Sequence, residues 1–187
     1  MERPLARLEP LHRAGCGTDL AHFDGNRFRS SLRFHVNRWC WAYLLLASVA
    51  FAFHARYAIG LNVTASLPYR LFVIDKAERP ERSQFVAFRW PGGGPYAKGA
   101  TFVKEIVGIS GDVVTRVNRS FFVNGHPVGL AKPLSQSGQA LALGPTGTLP
   151  TDRYYVRAPH PDSLDSRYAL LGWISESQII GRAYVLF

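Results

Sequence analysis

The sequence is poor in cysteine, in acids and in long apolar runs, and each shortage excludes something. Only Cys16 and Cys40 occur among 187 residues. Two thiols, one in the N-terminal stretch and one in the apolar run, build neither a disulfide framework nor a zinc site. The sequence has no P-loop, no glycine-rich dinucleotide fingerprint, no HExxH helix and no GxSxG elbow. No metal and no cofactor is expected. Thirteen acids stand against 22 Lys and Arg, giving a net charge of +9 and a pI near 10.0. That balance admits nucleic acid, an anionic membrane surface or an acidic protein as partner. No nucleic-acid-binding module is recognisable, so no nucleic acid is expected. Four of the six histidines (12, 22, 35 and 54) precede residue 60, which makes a Ser/His/Asp triad hard to assemble further on. His160 is the only one near other polar candidates.

What is present divides unevenly. Residues 1–38 hold seven Arg and four acids, directly ahead of Trp39–Phe53, fifteen residues without a charge. A helix needs about 20 residues to cross a bilayer core. Fifteen suffice if His54 and Arg56 snorkel at the far interface while Trp39, Trp41 and Tyr43 form the near aromatic belt. Nearly forty preceding residues speak against a cleavable signal. The arginine bias places the tail on the cytoplasmic side.

After Gly60 the pattern becomes short, β-branched and aromatic, broken by Gly, Pro, Asn and Asp. RLFVID (70–75), SQFVAFRW (83–90), TFVKEIVGI (101–109), DVVTRV (112–117), SFFVNG (120–125), RYYVRA (153–158) and GRAYVLF (181–187) read as strands of a mostly antiparallel β domain. Asn124-Gly125 suits a type I′ hairpin turn. Gly92-Gly93-Gly94, between prolines, reads as a turn, and residues 129–152 read as a surface loop. Phe85, Phe88 and Trp90 suit either the core or a membrane interface.

Three polar elements remain. Ser66 precedes Pro68 by two residues, so its hydroxyl is held out of regular structure. Lys104 lies in an apparent strand where alternation puts either Phe102, Lys104 and Ile106 inside or Val103, Glu105 and Val107. A buried lysine tends to lose its proton and so becomes a usable base. Asp165 and Arg167, two apart in an extended stretch, project to one side, with Ser163 and Ser166 nearby.

Together the wordings TASLP, KEIVGISGD, SLDSRYALLGW and IIGRAYVLF resemble the type I signal peptidase family over about residues 60–187. The short Ser66-Leu67-Pro68 box, the N-x-T-x-S-L-P wording and Arg157-Ala158-Pro159-His160 in place of a G-D-N-R stretch resemble its TraF-type conjugative-transfer branch. The resemblance implies a signal-peptidase-like antiparallel β catalytic domain preceded by a single transmembrane helix. It implies Ser66 as nucleophile and Lys104 as general base. Ser163 would orient the Lys104 amine, and Thr64 would supply an oxyanion-hole hydroxyl beside the Ser66 N–H. Asp165 and Arg167 would form an ion pair fixing the loop that carries Ser163.

The organisation expected is a basic cytoplasmic tail (1–38), a transmembrane anchor (39–59) and a periplasmic serine peptidase domain (60–187) in a bacterial inner membrane. The expected partners are inner-membrane lipid and a preprotein or pilin-precursor substrate, cleaved and, in this branch, sometimes ring-closed. Two rivals compete with that reading. A self-cleaving repressor would need a DNA-binding helical domain that residues 1–38 are too short to supply. A non-catalytic anchored β module of a conjugation or secretion apparatus would leave Ser66 and Lys104 merely structural.

Overall fold

The computed structural model describes residues 25–62, 64 and 66–187; the first 24 residues of the expected tail, Cys16 among them, lie outside these. Among the described residues one α-helix, α1, spans Gly25–Arg56. Eleven strands follow: β1 (Tyr57–Leu61), β2 (Leu71–Asp75), β3 (Phe85–Arg89), β4 (Thr101–Gly108), β5 (Val113–Val117), β6 (Ser120–Val123), β7 (His126–Leu130), β8 (Gly147–Thr148), β9 (Arg153–Arg157), β10 (Ile174–Ser175) and β11 (Ile179–Val185). The chain divides within α1, between Ala47 and Ser48, into two compact units.

Arg33–Arg56 of α1 is long and apolar enough to cross a membrane. Its 24 residues extend about 36 Å at the helical rise, against a hydrocarbon core of about 30 Å. From Arg33 onward its side chains are exposed except for half-buried Cys40. The helix expected at 39–59 thus starts earlier and ends sooner. Tyr57–Leu61 is strand rather than helix because it finds a partner: Tyr57 pairs with Asp75 and Leu61 with Leu71 across β2. Arg56 closes the helix there by donating to Asp75 Oδ2 at 2.8 Å, while its own carbonyl accepts the Lys76 N–H at 2.9 Å.

The strands form a seven-stranded sheet in the order β1-β2-β11-β3-β4-β9-β10 and a four-stranded sheet in the order β7-β6-β5-β8. Every pairing is antiparallel. Val86, Phe88, Trp90, Ile106, Val156 and Ile174 fill one core; Phe72, Ile74, Ala87 and Ala183 fill another around Leu67. β3 belongs to both, which is why Val86, Ala87 and Phe88 are all buried and show no alternation. Phe88 and Trp90 are therefore core residues and not an interfacial belt. Val114, Phe121, Val123, Leu149 and Tyr155 pack where the smaller sheet meets β9.

The Asn124-Gly125 turn takes φ of 49° and 79°, the left-handed pair that a type I′ hairpin requires. Residues 129–152 are more ordered than a free surface loop. The Arg119 side chain donates to the carbonyls of Ala131, Lys132 and Leu141, and Leu143 forms a bridge with Tyr168. Gly144 lies so close to this contact that a Cβ would stand 2.2 Å from the Ser166 carbonyl oxygen.

Candidate active site

A cleft of about 810 Å³ runs between the β1 side of the large sheet and the loop after β9, lined among others by Asn62, Thr64, Ser66, Phe102, Lys104, His160, Ser163 and Leu164. Four of the six residues singled out from the sequence thus share one cavity. Asp165 and Arg167 are not in its lining; they lie buried behind Ser163.

Lys104 sits on β4, where Lys104, Ile106 and Gly108 are buried and the intervening residues are only half-buried. Alternation alone left this face undecided because Val103 and Val107 also pack, each against a different core. Lys104 is 4% exposed, and its ammonium donates to Ser163 Oγ at 2.7 Å. Burial lowers its pKa from 10.5 to about 8; Asp165 pulls it upward and Arg167 downward, so the two neighbouring charges oppose each other and desolvation prevails.

Ser163 is held in place by the residues after it. Arg167 Nε and Nη2 each donate to an Asp165 carboxylate oxygen at 2.8 Å, and Nη1 donates to the Leu130 carbonyl at 2.8 Å. Asp165 Oδ2 accepts the Ala158 N–H at 3.2 Å, and Ser166 Oγ accepts the Val156 N–H at 2.9 Å. This fork-to-fork ion pair, with its remaining polar atoms satisfied by backbone, meets the condition for charges out of water. The expected Asp165–Arg167 pairing is therefore the geometry found.

Ser66 follows β1 in a loop pinned by Leu67, which is buried with Phe72 and Ile74. Its hydroxyl lies 3.0 Å from Thr64 Oγ1. Among the described residues no hydrogen bond links Ser66 to Lys104 or to His160, although all three face the same cleft. His160 instead accepts the Asp162 N–H on Nδ1 at 3.2 Å.

Two features of the cleft were missed in reading the sequence. Asn62 bonds repeatedly across the loop that carries Ser66; the asparagine two places before Thr64, an Asx-turn signal, was the available clue. Asp162, next to Ser163, is joined by Lys132 and Gln136 of the 129–152 segment, a contact with no local pattern to betray it. The main chain adds a third feature. β4 pairs with β3 from Thr101 to Glu105, but its pairing with β9 begins only at Glu105. Along Thr101–Lys104 one edge of β4 therefore has no partner strand among the described residues. Nor do any three His, Cys, Asp or Glu side chains among these residues gather as a metal would require.

The family described as "Signal peptidase, peptidase S26" matches residues 33–187. A protein described as a probable conjugal transfer protein TraF, from Sinorhizobium fredii, is 30% identical over 146 residues, which is 66% of this chain and 73% of that relative. A crystal structure of a signal peptidase I from Enterococcus faecalis V583 aligns at 23% identity with a TM-score of 0.38, over 59% of this chain and 98% of the other. A chain whose anchor-length helix, β domain and polar cleft all fall within the matched span belongs to the peptidase S26 signal peptidase family, in its TraF-type branch.

Proposed function

We propose that the chain is a membrane-anchored Ser/Lys endopeptidase that removes leader or signal peptides and matures a conjugative pilin precursor. The observation that carries this is Lys104: a buried amine with its pKa lowered to about 8, fixed on Ser163, in the cleft that Ser66 lines. A group so poised accepts a proton near neutral pH. Ser66 Oγ attacks the scissile carbonyl carbon while Lys104 Nζ takes the hydroxyl proton. As the C–N bond breaks, that proton passes to the departing amine, leaving an ester on Ser66. Water then yields a free acid; the substrate's own terminal amine yields a ring. Thr64 is assigned to stabilising the oxyanion, and Asp165 and Arg167 to fixing the Ser163 loop. The relative's description as a conjugal transfer protein supports a conjugation setting, and a pilin precursor is the substrate assigned within it.

The same reading assigns residues 1–38 to the cytoplasm, the helix to the inner membrane and the β domain to the periplasm, in contact with membrane lipid. The test is to incubate the purified protein with candidate precursors beside Ser66→Ala and Lys104→Ala and to weigh the products. Cleavage lost in both variants is expected, and undiminished cleavage in either removes the mechanism. A product lighter than the linear fragment by one water identifies ring closure. A second reading, an anchored β module without catalysis, is favoured by one observation, that the Ser66 hydroxyl bonds to Thr64. It predicts no cleavage by the unaltered chain.

A further inference from the structure

Asn62 is bonded to the Ser66 loop from every side. Its backbone N–H donates to the Arg70 carbonyl at 2.8 Å, and its Nδ2 donates to the Tyr69 carbonyl at 3.0 Å and the Leu67 carbonyl at 3.3 Å. Two carbonyls on one side fix which way the carboxamide faces, because only its nitrogen can donate to them. Oδ1 consequently points the other way, where it accepts the Thr64 N–H at 3.3 Å and the Thr64 hydroxyl at 3.0 Å. A threonine hydroxyl has one hydrogen. With that hydrogen committed to Asn62, the 3.0 Å contact between Thr64 Oγ1 and Ser66 Oγ has one polarity: Ser66 donates and Thr64 accepts.

We propose that Asn62 is a positioning residue for Ser66, acting through Thr64. It closes the loop from residue 62 to residue 70 and leaves Thr64 Oγ1 as the acceptor that holds the Ser66 oxygen in place at rest; for attack the Ser66 hydrogen turns from Thr64 toward Lys104, with the oxygen already placed. The proposal rests on the peptidase reading and replaces one of its assignments, the Thr64 hydroxyl at the oxyanion. A Thr64 hydroxyl bonded to Asn62 is not free to meet an oxyanion, so the two roles for Thr64 predict opposite results when Asn62 is removed. If Thr64 served only the oxyanion, Asn62→Ala would release its hydrogen and leave the rate intact. If Asn62 aims Ser66, the rate falls.

The test uses the full chain and a small activated ester, N-acetyl-alanine p-nitrophenyl ester, whose release of nitrophenolate reports acylation of Ser66. Asn62→Ala is expected to lower kcat about 100-fold, the scale on which a misplaced reacting group is felt, with KM within about threefold. Thr64→Val, which keeps shape and removes only the hydroxyl, is expected to show a comparable loss with an unchanged melting temperature. Because the two residues act in series, the double variant should lose no more than the worse single one. The midpoint of the pH–rate profile should stay with Lys104, near 8, in every variant. An Asn62→Ala or Thr64→Val protein as fast as the unaltered one, fully additive losses, or a moved midpoint would overturn the proposal while leaving the peptidase reading in place. Ester release equal in the unaltered protein and in Ser66→Ala would instead remove the peptidase reading, and this proposal with it.

Discussion

Lys104 and Ser163, 59 positions apart in the chain, meet at 2.7 Å inside the protein. Neither strand β4 nor the loop after β9 makes a chemical site alone. The contact exists because the Asp165–Arg167 pair folds that loop onto β9 and presents Ser163 to the lysine.

The first consequence is a pH dependence. The base form of Lys104 grows as pH rises through about 8, so the acylation rate should climb from pH 6 and level off above pH 9. At pH 7 about a tenth of the molecules would be competent, against fewer than one in a thousand for an unperturbed lysine. Initial rates across this range measure it, and a flat profile would contradict the assignment.

Stability should move with the same group. The folded pKa of about 8 lies below the ordinary 10.5, so between these values the unfolded chain binds more protons and stability rises with pH. Lys104→Met removes the cost of burying the ammonium. At pH 7 it should be more stable than the unaltered protein by up to about 3 kcal/mol, an advantage that fades toward pH 10. Denaturant titrations at the two pH values check this.

Removing the Ser163 hydroxyl takes away the acceptor that orients Lys104. Ser163→Ala should lower kcat by about 100-fold, the low end of what a positioned general base supplies. KM should change little, and the pH midpoint should move down, because the ammonium form loses a partner. Steady-state kinetics at several pH values separates these effects.

Breaking the pair behind the site should be felt globally. Asp165→Ala leaves the guanidinium of buried Arg167 without its carboxylate, a loss of about 3 to 5 kcal/mol for a buried pair. Gly144→Ala drives a methyl against the Ser166 carbonyl and should cost about 1 to 3 kcal/mol. Thermal melting monitored by near-ultraviolet circular dichroism reports both.

Orientation has its own measurement. Protease added to spheroplasts should digest the β domain while sparing the tail, and the chain should resist alkaline extraction from membranes. A protected β domain would reverse the assignment.

Much of this was legible locally. The hairpin at Asn124-Gly125 and most of the strands were readable because turn chemistry and β-branched runs are short-range signals. The candidate residues were readable from wording that clusters within a few positions. The face of Lys104 was not, since β4 packs on both sides and a two-residue period cannot choose between two cores. The end of α1 was missed because Arg56 answers to Asp75, and Tyr57–Leu61 to β2, both outside the local window. Residues 129–152 looked patternless for a similar reason: Arg119 orders them through main-chain carbonyls, which any sequence possesses.

The unpaired stretch of β4 bears on what can enter the cleft. A guest lying along Thr101–Lys104 would be gripped by peptide groups that all sequences share, so most side chains pass and discrimination falls to a few contacts. One residue cannot take that grip wherever its own nitrogen must face the strand. On the proposed peptidase reading, proline at such a position would act as a veto, and a precursor carrying it there would escape processing however well the rest of its sequence fits.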